Sequence, residues 1–436
     1  MSTMTVPDLA PATEFTLPDC AERTLDNGLT ILAIRRPSVP LVEIRLRVPF
    51  ARADAAVSAV LTQTLFSGTS NRNIVEIAAQ MQSVGGAYST GVDADRFLVA
   101  GNSLVDGLPT MLDILAEVLD GATHPDDQVS SERERLVDRL TVAKEQASHQ
   151  VQVALMKRVY GDHPYSVQSP EPEDVAAVEA SEVRKLHRER LHPRGAILVI
   201  TGDLPSERAL DAGEVALAGW KGGGDPIVLD PVPALETGPV LLVDRPDSVQ
   251  SSIRMALPAV ARTHPDNAAQ QLANLIFGGY FSSRLVANIR EDKGYTYSPR
   301  SSIDHALAGS SIIVSADVAT EVTAPALWES WYELGRMAAT TVTSQELEQA
   351  RRYALGTLRL ATATQSGLAS LASSFAGQGL RLDWLMGHAA RLAAVTVDDI
   401  ARVSEELLSP ARAVTVVLGD VDKVERSLQA LAPVTR

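Results

Sequence analysis

Arg290 and Tyr297 are the residues whose types and spacing best suit chemistry in this chain. They lie in the stretch from Gly278 to Ser298, which reads GGYFSSRLVANIREDKGYTYS. An arginine beside a tyrosine hydroxyl can hold a peptide carbonyl or a developing oxyanion, since both side chains donate hydrogen bonds and the arginine is always charged. Taken alone, such a pair is more often a surface arginine and a half-buried tyrosine than a functional site.

A short helix and the start of a strand must position this pair. Ser282 or Ser283 is placed as the N-cap of the helix. Gly294 is placed to end it, because glycine adopts the left-handed conformation after a helix at the least cost. Arg290 then lies in the last turn of the helix, and Tyr297 follows the break at the predicted start of a strand.

Length and composition predict at least two domains and argue against a nucleic-acid or membrane partner. The chain has 436 residues, which is more than one hydrophobic core usually serves. Its 39 basic and 54 acidic residues give a net charge of −15, which disfavours binding to nucleic acid and to anionic membranes. The one cysteine, Cys20, excludes an internal disulfide and a cysteine-based metal cluster.

The N-terminal sequence predicts a cytoplasmic protein. Residues 1–15, MSTMTVPDLAPATEF, contain neither the basic region nor the apolar region of a secretory signal peptide. No apolar run in the sequence approaches the length that spans a membrane. Residues 1–20 are therefore expected to form a polar, proline-containing arm.

The first half of the chain alternates strand and helix patterns. An Asn-Gly turn and an apolar strand occupy Thr24 to Arg36. The alternation over Leu41 to Phe50 predicts a half-buried strand that pairs with it. Further along, Ser130 to Tyr160 is predicted to form one long charged helix.

A long segment of the first half returns in the second half. The pattern of Val178 to Leu210 is repeated in Val395 to Leu428, with Pro410 matching Pro193 at an offset of 410 − 193 = 217. A glycine and an aspartate of the two segments match at the same offset, which indicates an internal duplication. The predicted fold class is therefore α+β. It comprises two homologous lobes that face one another across a cleft, each a mainly antiparallel sheet flanked by helices.

Composition places the boundary between the two lobes. The segment KGGGDPIVLDPVPALETGP, Lys221 to Pro239, is rich in glycine and proline and is typical of a linker. We expect an N-terminal lobe over 21–221, a linker over 222–239 and a C-terminal lobe over 240–436.

Several short motifs in this arrangement carry a family resemblance. They are NGL near the start, LFSGT after the first helix, HPY in the middle, and FSSRL with IREDKGYTYS in the second half. Together they resemble the pitrilysin/insulinase family of zinc peptidases over roughly Thr24 to Leu428. The likeness is greatest to the bacterial half-length members and to the subunits of the mitochondrial processing peptidase.

The zinc motif of that family is degenerate in this chain. In the family, His-x-x-Glu-His precedes the Leu-Phe-x-Gly-Thr segment, and a glutamate on a later helix completes the site. Here Ala59 and Gln63 stand at the histidine positions, Thr62 at the glutamate position, and the third ligand's place falls at about Thr141. Catalytic zinc needs three imidazole or carboxylate ligands. We therefore expect no metal and no cofactor in this chain, with the zinc held by a partner subunit.

The remaining histidines do not suggest a second zinc site. The chain has eight histidines, and none pairs with another at the i, i+4 spacing that places two ligands on one helix face. Ordinary surface or core histidines are expected.

The resemblance assigns roles to the second-half motif. Family peptidases use an arginine and a tyrosine opposite the zinc to bind substrate and stabilise the tetrahedral intermediate, and Arg290 and Tyr297 match these residues. Tyr295 is a nearby competitor for the tyrosine role. Gly278 and Gly279 stand where the zinc-less processing subunit has a longer glycine-rich loop, so they are candidate substrate contacts within a tight turn.

The predicted function is that of a zinc-less subunit in a heterodimeric metallopeptidase. Its expected partners are a homologous zinc-bearing subunit and an unfolded peptide or leader-peptide substrate. The alternative is a non-catalytic scaffold or peptide-binding homologue. A lone hydrolase that uses other residues is the third reading. A similar neighbouring gene that carries the zinc motif would favour the first of these.

Overall fold

Within residues 18–436, which the computed structural model describes, each half of the chain folds around a six-stranded β-sheet. The arm predicted over 1–20 therefore lies outside the described residues except at its end, where Cys20 already begins a strand. The strands of the N-terminal lobe are β1 (Cys20–Thr24), β2 (Thr30–Arg35), β3 (Leu41–Pro49), β4 (Ala87–Val92), β5 (Arg96–Leu104) and β6 (Ile197–Gly202). Its helices are α1 (Ala55–Thr64), α2 (Ile74–Ser83), α3 (Leu108–Gly121), α4 (Asp126–Lys144), α5 (Ala147–Tyr160), α6 (Pro172–Ala177), α7 (Ala180–Arg190) and α8 (Ser206–Leu217).

The C-terminal lobe repeats this composition of strands and helices. Its strands are β7 (Val240–Asp244), β8 (Gln250–Pro258), β9 (Arg300–His305), β10 (Ser310–Ala319), β11 (Val414–Gly419) and β12 (Val434–Thr435). Its helices are α9 (Asn267–Asn274), α10 (Arg284–Val286), α11 (Thr323–Ala339), α12 (Ser344–Ala363), α13 (Gln365–Ala376), α14 (Leu382–Ala394), α15 (Val397–Leu407) and α16 (Val421–Gln429). Two π-helical turns, Leu275–Gly279 and Ala287–Asp292, flank α10.

The strand order confirms the predicted duplication of two α+β lobes. The N-terminal sheet runs β1-β2-β6-β3-β5-β4 and the C-terminal sheet runs β12-β7-β11-β8-β10-β9, so five strands correspond in order within the described chain. In each lobe the pair β2–β6 or β7–β11 is parallel, and the following pairs are antiparallel. The lobes differ at one edge, where β1 is antiparallel to β2 but β12 is parallel to β7.

The expected pairing of the first two long strands is wrong. The Asn-Gly turn does form a hairpin, with Gly28 at φ +89°, but it joins β1 to β2. Strand β6, which comes much later in the sequence, lies between β2 and β3. Strand β3 is mostly buried rather than half-buried, because both faces of the sheet are covered. A pattern of alternation specifies which residues share a face, but it carries no information about which strand is the neighbour.

The predicted long charged helix is two helices, which pack on different lobes. It breaks at Glu145 and Gln146, where the sequence contains neither proline nor glycine. The first part, α4, stays with its own lobe beside α1 and α6. The second part, α5, packs on β8 and β11 of the other lobe, with Leu155 buried in a cluster that includes Val416.

A helix of the C-terminal lobe packs reciprocally on the N-terminal sheet. Helix α13 packs across β3 and β6 of the N-terminal lobe, with Leu368 and Ala372 against Ile34 and Val199. The two exchanged helices begin 365 − 147 = 218 residues apart, close to the offset of the sequence repeat. Each lobe therefore covers one face of the other lobe's sheet.

Loops between the lobes reinforce this packing. Tyr165, the tyrosine of the HPY motif, donates its hydroxyl to the Asp95 carboxylate at 2.8 Å and accepts the Ala308 backbone N–H at 2.9 Å. The chain between α8 and β7 has no regular structure, and Leu229 within it is buried against the cluster around α5.

No helix in residues 18–436 combines the length and apolarity needed to cross a membrane.

Candidate functional site

The glycine pair before the candidate arginine is packed inside the lobe. Gly278 and Gly279 end a π-helical turn instead of forming the expected tight turn. A Cβ atom at Gly278 would lie 2.9 Å from the Ser301 hydroxyl oxygen, and one at Gly279 would lie 3.0 Å from the Asn274 side chain. Close packing against neighbouring residues is therefore the observed reason for glycine at these positions.

The helical segment from 284 to 292 is anchored to two long helices. Arg284 forms a two-pronged ion pair with Glu346 at the start of α12, with N···O distances of 2.6 and 3.0 Å. Asn288 donates to Glu333 of α11 at 2.8 Å. Burial alone would raise the pKa of Glu346, but hydrogen bonds from Arg284 and Thr343 lower it to about 2. Arg284 is thus committed to structure.

Gly294 terminates the segment in the left-handed conformation, with φ +66°. Its N–H bonds to the Arg290 carbonyl at 3.0 Å, and the Tyr295 N–H bonds to the Ile289 carbonyl at 2.8 Å. Ser283 lies at the N-cap position, although its hydroxyl makes no capping hydrogen bond. The chain then runs through Tyr297 in an irregular loop, three residues before β9 begins.

The two tyrosines of the motif have different environments. Tyr295 is partly buried and packs against the hydrophobic core of the C-terminal lobe. Tyr297 is 80% exposed. Tyr297 is therefore the more accessible of the two tyrosines, which favours it over Tyr295 as the residue that could meet a substrate.

Arg290 is held between two aromatic rings. Its guanidinium carbon lies 4.5 Å from the ring centroid of Tyr297 and 4.9 Å from that of Phe281. Phe281 is itself 61% exposed, which is unusual for so apolar a side chain. The Arg290 Nε atom also lies 3.0 Å from a carboxylate oxygen of Glu291. Phe281 belongs to the FSSRL motif, but no local sequence signal predicts its contact with Arg290.

This geometry determines what Arg290 can bind. Its two faces contact rings and its Nε edge contacts Glu291, so the two terminal nitrogens remain for other partners. No side chain in residues 18–436 forms a hydrogen bond with those nitrogens. A guanidinium held in this way can donate hydrogen bonds from both terminal nitrogens to one carbonyl oxygen or oxyanion.

The degenerate zinc motif lies on α1 in the N-terminal lobe. Thr62 is buried and donates its hydroxyl to the Ala59 carbonyl of its own helix at 2.7 Å. Gln63 is exposed, and its amide nitrogen lies 3.2 Å from the Thr62 hydroxyl. These side chains satisfy one another as ordinary helix residues.

A cation faces this motif from α4. Arg139 donates to the Gln63 amide oxygen at 3.2 Å. Thr141, predicted at the third ligand position, is exposed and donates its hydroxyl to the Val137 carbonyl of its own helix at 2.9 Å. The hydrogen bond from α4 to the motif is thus made by Arg139, two positions before Thr141. The sequence alone could not fix this register.

A buried histidine pair is hydrogen-bonded to α1. His187 donates from Nε2 to the Leu119 carbonyl at 3.0 Å, so its Nδ1 accepts from His124 Nε2 at 2.8 Å. His124 Nδ1 then accepts the hydroxyl of Thr64, on α1, at 2.9 Å. Burial lowers the pKa of His124 to about 3 and lowers the pKa of His187 as well, so both rings are neutral. All four ring nitrogens have hydrogen-bond partners, and the pair serves structure.

The residues of the degenerate motif and the arginine beside them do not fit a zinc ion. Alanine, threonine and glutamine offer no imidazole or carboxylate ligand, and the arginine beside them would repel a metal cation. Within residues 18–436 no group of three or more histidine, cysteine, aspartate or glutamate side chains is arranged to hold a metal.

Comparison with known proteins gives the same family for both lobes. Residues 55–173 match the family described as "Insulinase (Peptidase family M16)". Residues 177–353 match the domain described as "Peptidase M16 inactive domain".

Individual relatives are distant but match over most of their length. An uncharacterized zinc protease of Streptomyces coelicolor is 23% identical over 411 residues, which is 90% of this chain and 88% of that protein. A structure titled a peptidase M16 inactive domain, from Pseudomonas fluorescens, is 21% identical with a TM-score of 0.83 and covers 92% of this chain and 98% of its own. A protease structure from Helicobacter pylori is 18% identical with a TM-score of 0.85 and covers 93% and 100%. The two structural likenesses show the fold.

Proposed function

Since the chain belongs to the insulinase family of M16 peptidases, we propose that it is the zinc-less subunit of a heterodimeric peptidase. In this role it supplies Arg290 and Tyr297 to a homologous partner that carries the metal. The complex hydrolyses peptide bonds in unfolded peptides or leader peptides.

The stack of Arg290 on the exposed Tyr297 is the observation that carries this proposal. The two terminal nitrogens of the arginine form no side-chain hydrogen bond within the described chain, and the tyrosine beside them is 80% exposed. The degenerate motif on α1 supports the same division of labour, because Ala59, Gln63 and Arg139 replace ligands with side chains that do not bind zinc.

The chain's own residues have defined tasks in this proposal. Arg290 donates from its terminal nitrogens to the carbonyl oxygen of the scissile or an adjacent peptide bond. Tyr297 donates its hydroxyl to the negative charge that develops on that oxygen. Donors fixed before the reaction are worth several kcal/mol, because they need no reorganisation as the charge appears. The zinc that activates the attacking water belongs to the partner subunit.

Peptidase activity of reconstituted mixtures tests the proposal. A library of quenched fluorescent peptides would be incubated with this chain alone, with the zinc-bearing homologue from the same genome alone, and with both. The mixture would be repeated with Arg290→Ala and with Tyr297→Phe. We expect activity in the mixture and a loss of about a hundredfold with either substitution.

Arg391→Ala is a matched control for this experiment. Arg391 is an exposed arginine stacked at 4.8 Å on Trp384, also in the C-terminal lobe but outside the motif. Its replacement is expected to leave the mixture active. Equal activity without this chain, or with both motif variants, would overturn the proposal and favour the non-catalytic scaffold.

A further inference from the structure

A cavity between the two lobes contains charges that the protein does not neutralise. Its volume is about 290 Å³, and its walls come from both lobes. Arg47 lines it from β3, the turn from Asp93 to Arg96 lines it from the same lobe, and Asp304 and Gln378 line it from the other lobe. The volume is near the lower limit for binding sites of small organic ligands.

Arg47 is the most unusual residue of this cavity. It is only 5% exposed, yet it makes no hydrogen bond or ion pair with any residue in 18–436. Its guanidinium lies against Gly377 at the end of α13, where a Cβ atom would meet it at 2.0 Å. The carbonyl end of that helix favours a nearby cation but does not replace a counter-ion. Burial accordingly lowers the pKa of Arg47 to about 10.

Asp304 is the anion that the other lobe contributes to the cavity. It belongs to β9 of the C-terminal lobe, its side chain is open to the cavity, and it forms no ion pair within the described residues. The surrounding protein raises its pKa through burial, and repulsion from Asp93 acts in the same direction. The acidic and basic residues of the turn from Asp93 to Arg96 are already committed, because Arg96 pairs with Asp93 at 2.8 Å and Asp95 accepts from Tyr165.

Arg47 from one lobe and Asp304 from the other make the cavity complementary to a ligand that carries both an anionic and a cationic group. A simple anion would pair with Arg47 but would be repelled by Asp304. A metal cation would pair with Asp304 but would be repelled by Arg47. The remaining wall includes the apolar surfaces of Met156, Val167 and Leu307, which suit an aliphatic side chain.

We propose that this cavity binds a small zwitterion of the amino-acid or short-peptide class. The ligand's carboxylate accepts from Arg47, and its ammonium group donates to Asp304. Because these residues belong to different lobes, the bound molecule bridges the lobes. The site is separate from Arg290 and Tyr297, and the inference does not depend on the proposed peptidase role.

Calorimetric titration with defined dipeptides tests this inference. The probes are L-alanyl-L-leucine, its N-acetyl derivative, which lacks the ammonium group, and its C-terminal amide, which lacks the carboxylate. The unmodified dipeptide is expected to bind the full chain about tenfold to a hundredfold more tightly than either derivative, since each derivative leaves one charged group unpaired. Equal binding of all three, or no binding of the dipeptide, would overturn the proposal.

Two variants test which charged end of the dipeptide binds to Arg47 and which binds to Asp304. With Arg47→Met the dipeptide and its amide should bind equally, and with Asp304→Asn the dipeptide and its N-acetyl derivative should bind equally. Asp304 is accessible, so its variant remains informative if Arg47→Met fails to fold. Arg290→Met, which disables the candidate peptidase site, should leave dipeptide binding unchanged. A parallel loss in that variant would place binding at the other site and overturn the inference.

Discussion

The guanidinium carbon of Arg290 lies 4.5 Å from the ring centroid of Tyr297, so the two candidate residues contact each other before any substrate binds. Their seven-residue spacing in the sequence becomes a direct stack because the helix ends at Gly294 and the loop folds back. The contact orients the arginine and leaves the tyrosine hydroxyl free.

Phe281 is expected to act as a positioning residue for Arg290. Phe281→Leu removes one of the two rings that hold the guanidinium, and a cation–π contact at such a site is worth about 0.5–1 kcal/mol. We predict that kcat/KM of the reconstituted peptidase falls about threefold to fivefold, while Phe281→Tyr retains activity. Steady-state kinetics on one quenched peptide would measure this. Equal losses in both variants would argue against an aromatic contact.

The two tyrosines are expected to respond differently to mutation. Tyr297→Phe removes only an exposed hydroxyl, so it should reduce activity without changing stability. Tyr295→Ala should instead lower the free energy of unfolding by about 2 kcal/mol, because its ring packs against the core of the lobe. Urea unfolding and peptidase assays on both variants would separate the roles. Loss of activity in Tyr295→Phe with retention in Tyr297→Phe would reverse the assignment.

A zinc site should be recoverable on α1 only with the correct residue on α4. The variant Ala59→His, Thr62→Glu, Gln63→His with Arg139→Glu places a carboxylate at the position that contacts residue 63. We expect it to bind zinc at least about tenfold more tightly than the same triple variant with Thr141→Glu, because the latter leaves the arginine in place. Calorimetric zinc titration would compare the two. Equal affinities would show that Arg139 does not lie at the metal position.

The Arg284–Glu346 pair should make stability depend on pH. The folded-state pKa of Glu346 is about 2 against an ordinary 4.5, so its contribution is complete above pH 4.5 and is lost as pH falls through 2. Glu346→Gln should therefore lower the free energy of unfolding by about 2 kcal/mol at pH 7, after allowance for partial exposure. The difference from wild type should shrink below pH 4.5.

Urea unfolding at a series of pH values would measure that dependence. Glu348→Gln is a matched control on the same helix, where the carboxylate pairs with Arg351 and Arg352 at a more exposed position. Its effect at pH 7 should be smaller. A pH-independent difference for Glu346→Gln would show that its charge is not the stabilising feature.

The exchanged helix α5 should couple the stability of the two lobes. Leu155→Ala removes a fully buried side chain that packs against the other lobe, which should cost about 2–5 kcal/mol. Hydrogen exchange followed by mass spectrometry should show lower protection in both lobes. Val153→Ala, on the exposed face of the same helix, should have little effect. Loss of protection in the N-terminal lobe alone would contradict the coupling.

The sequence was sufficient for the two-lobe fold because a repeat in sequence implies a repeat in structure. The offset between Pro193 and Pro410 therefore predicted two homologous lobes, but it did not predict which strands are neighbours in each sheet. The sequence did not predict where α5 begins or on which lobe it packs. The break at Glu145 contains no proline or glycine, and the packing of the helix depends on apolar surfaces that are distant in the sequence.

The candidate site shows the same distinction. Arg290 and Tyr297 could be selected from their spacing and from the resemblance. Phe281 and Arg139 could not, because their contacts depend on the rotation of a π-helical segment and on the register of two helices that are far apart in sequence. The exposure of Tyr297 and the burial of Tyr295 likewise arise from the loop that follows Gly294.

The reciprocal exchange of α5 and α13 has a consequence for how the chain can be divided. Each half alone would leave one face of its sheet uncovered and one helix without the surface on which it packs. The two halves are therefore expected to fold as one unit, although the sequence repeat divides them into two lobes.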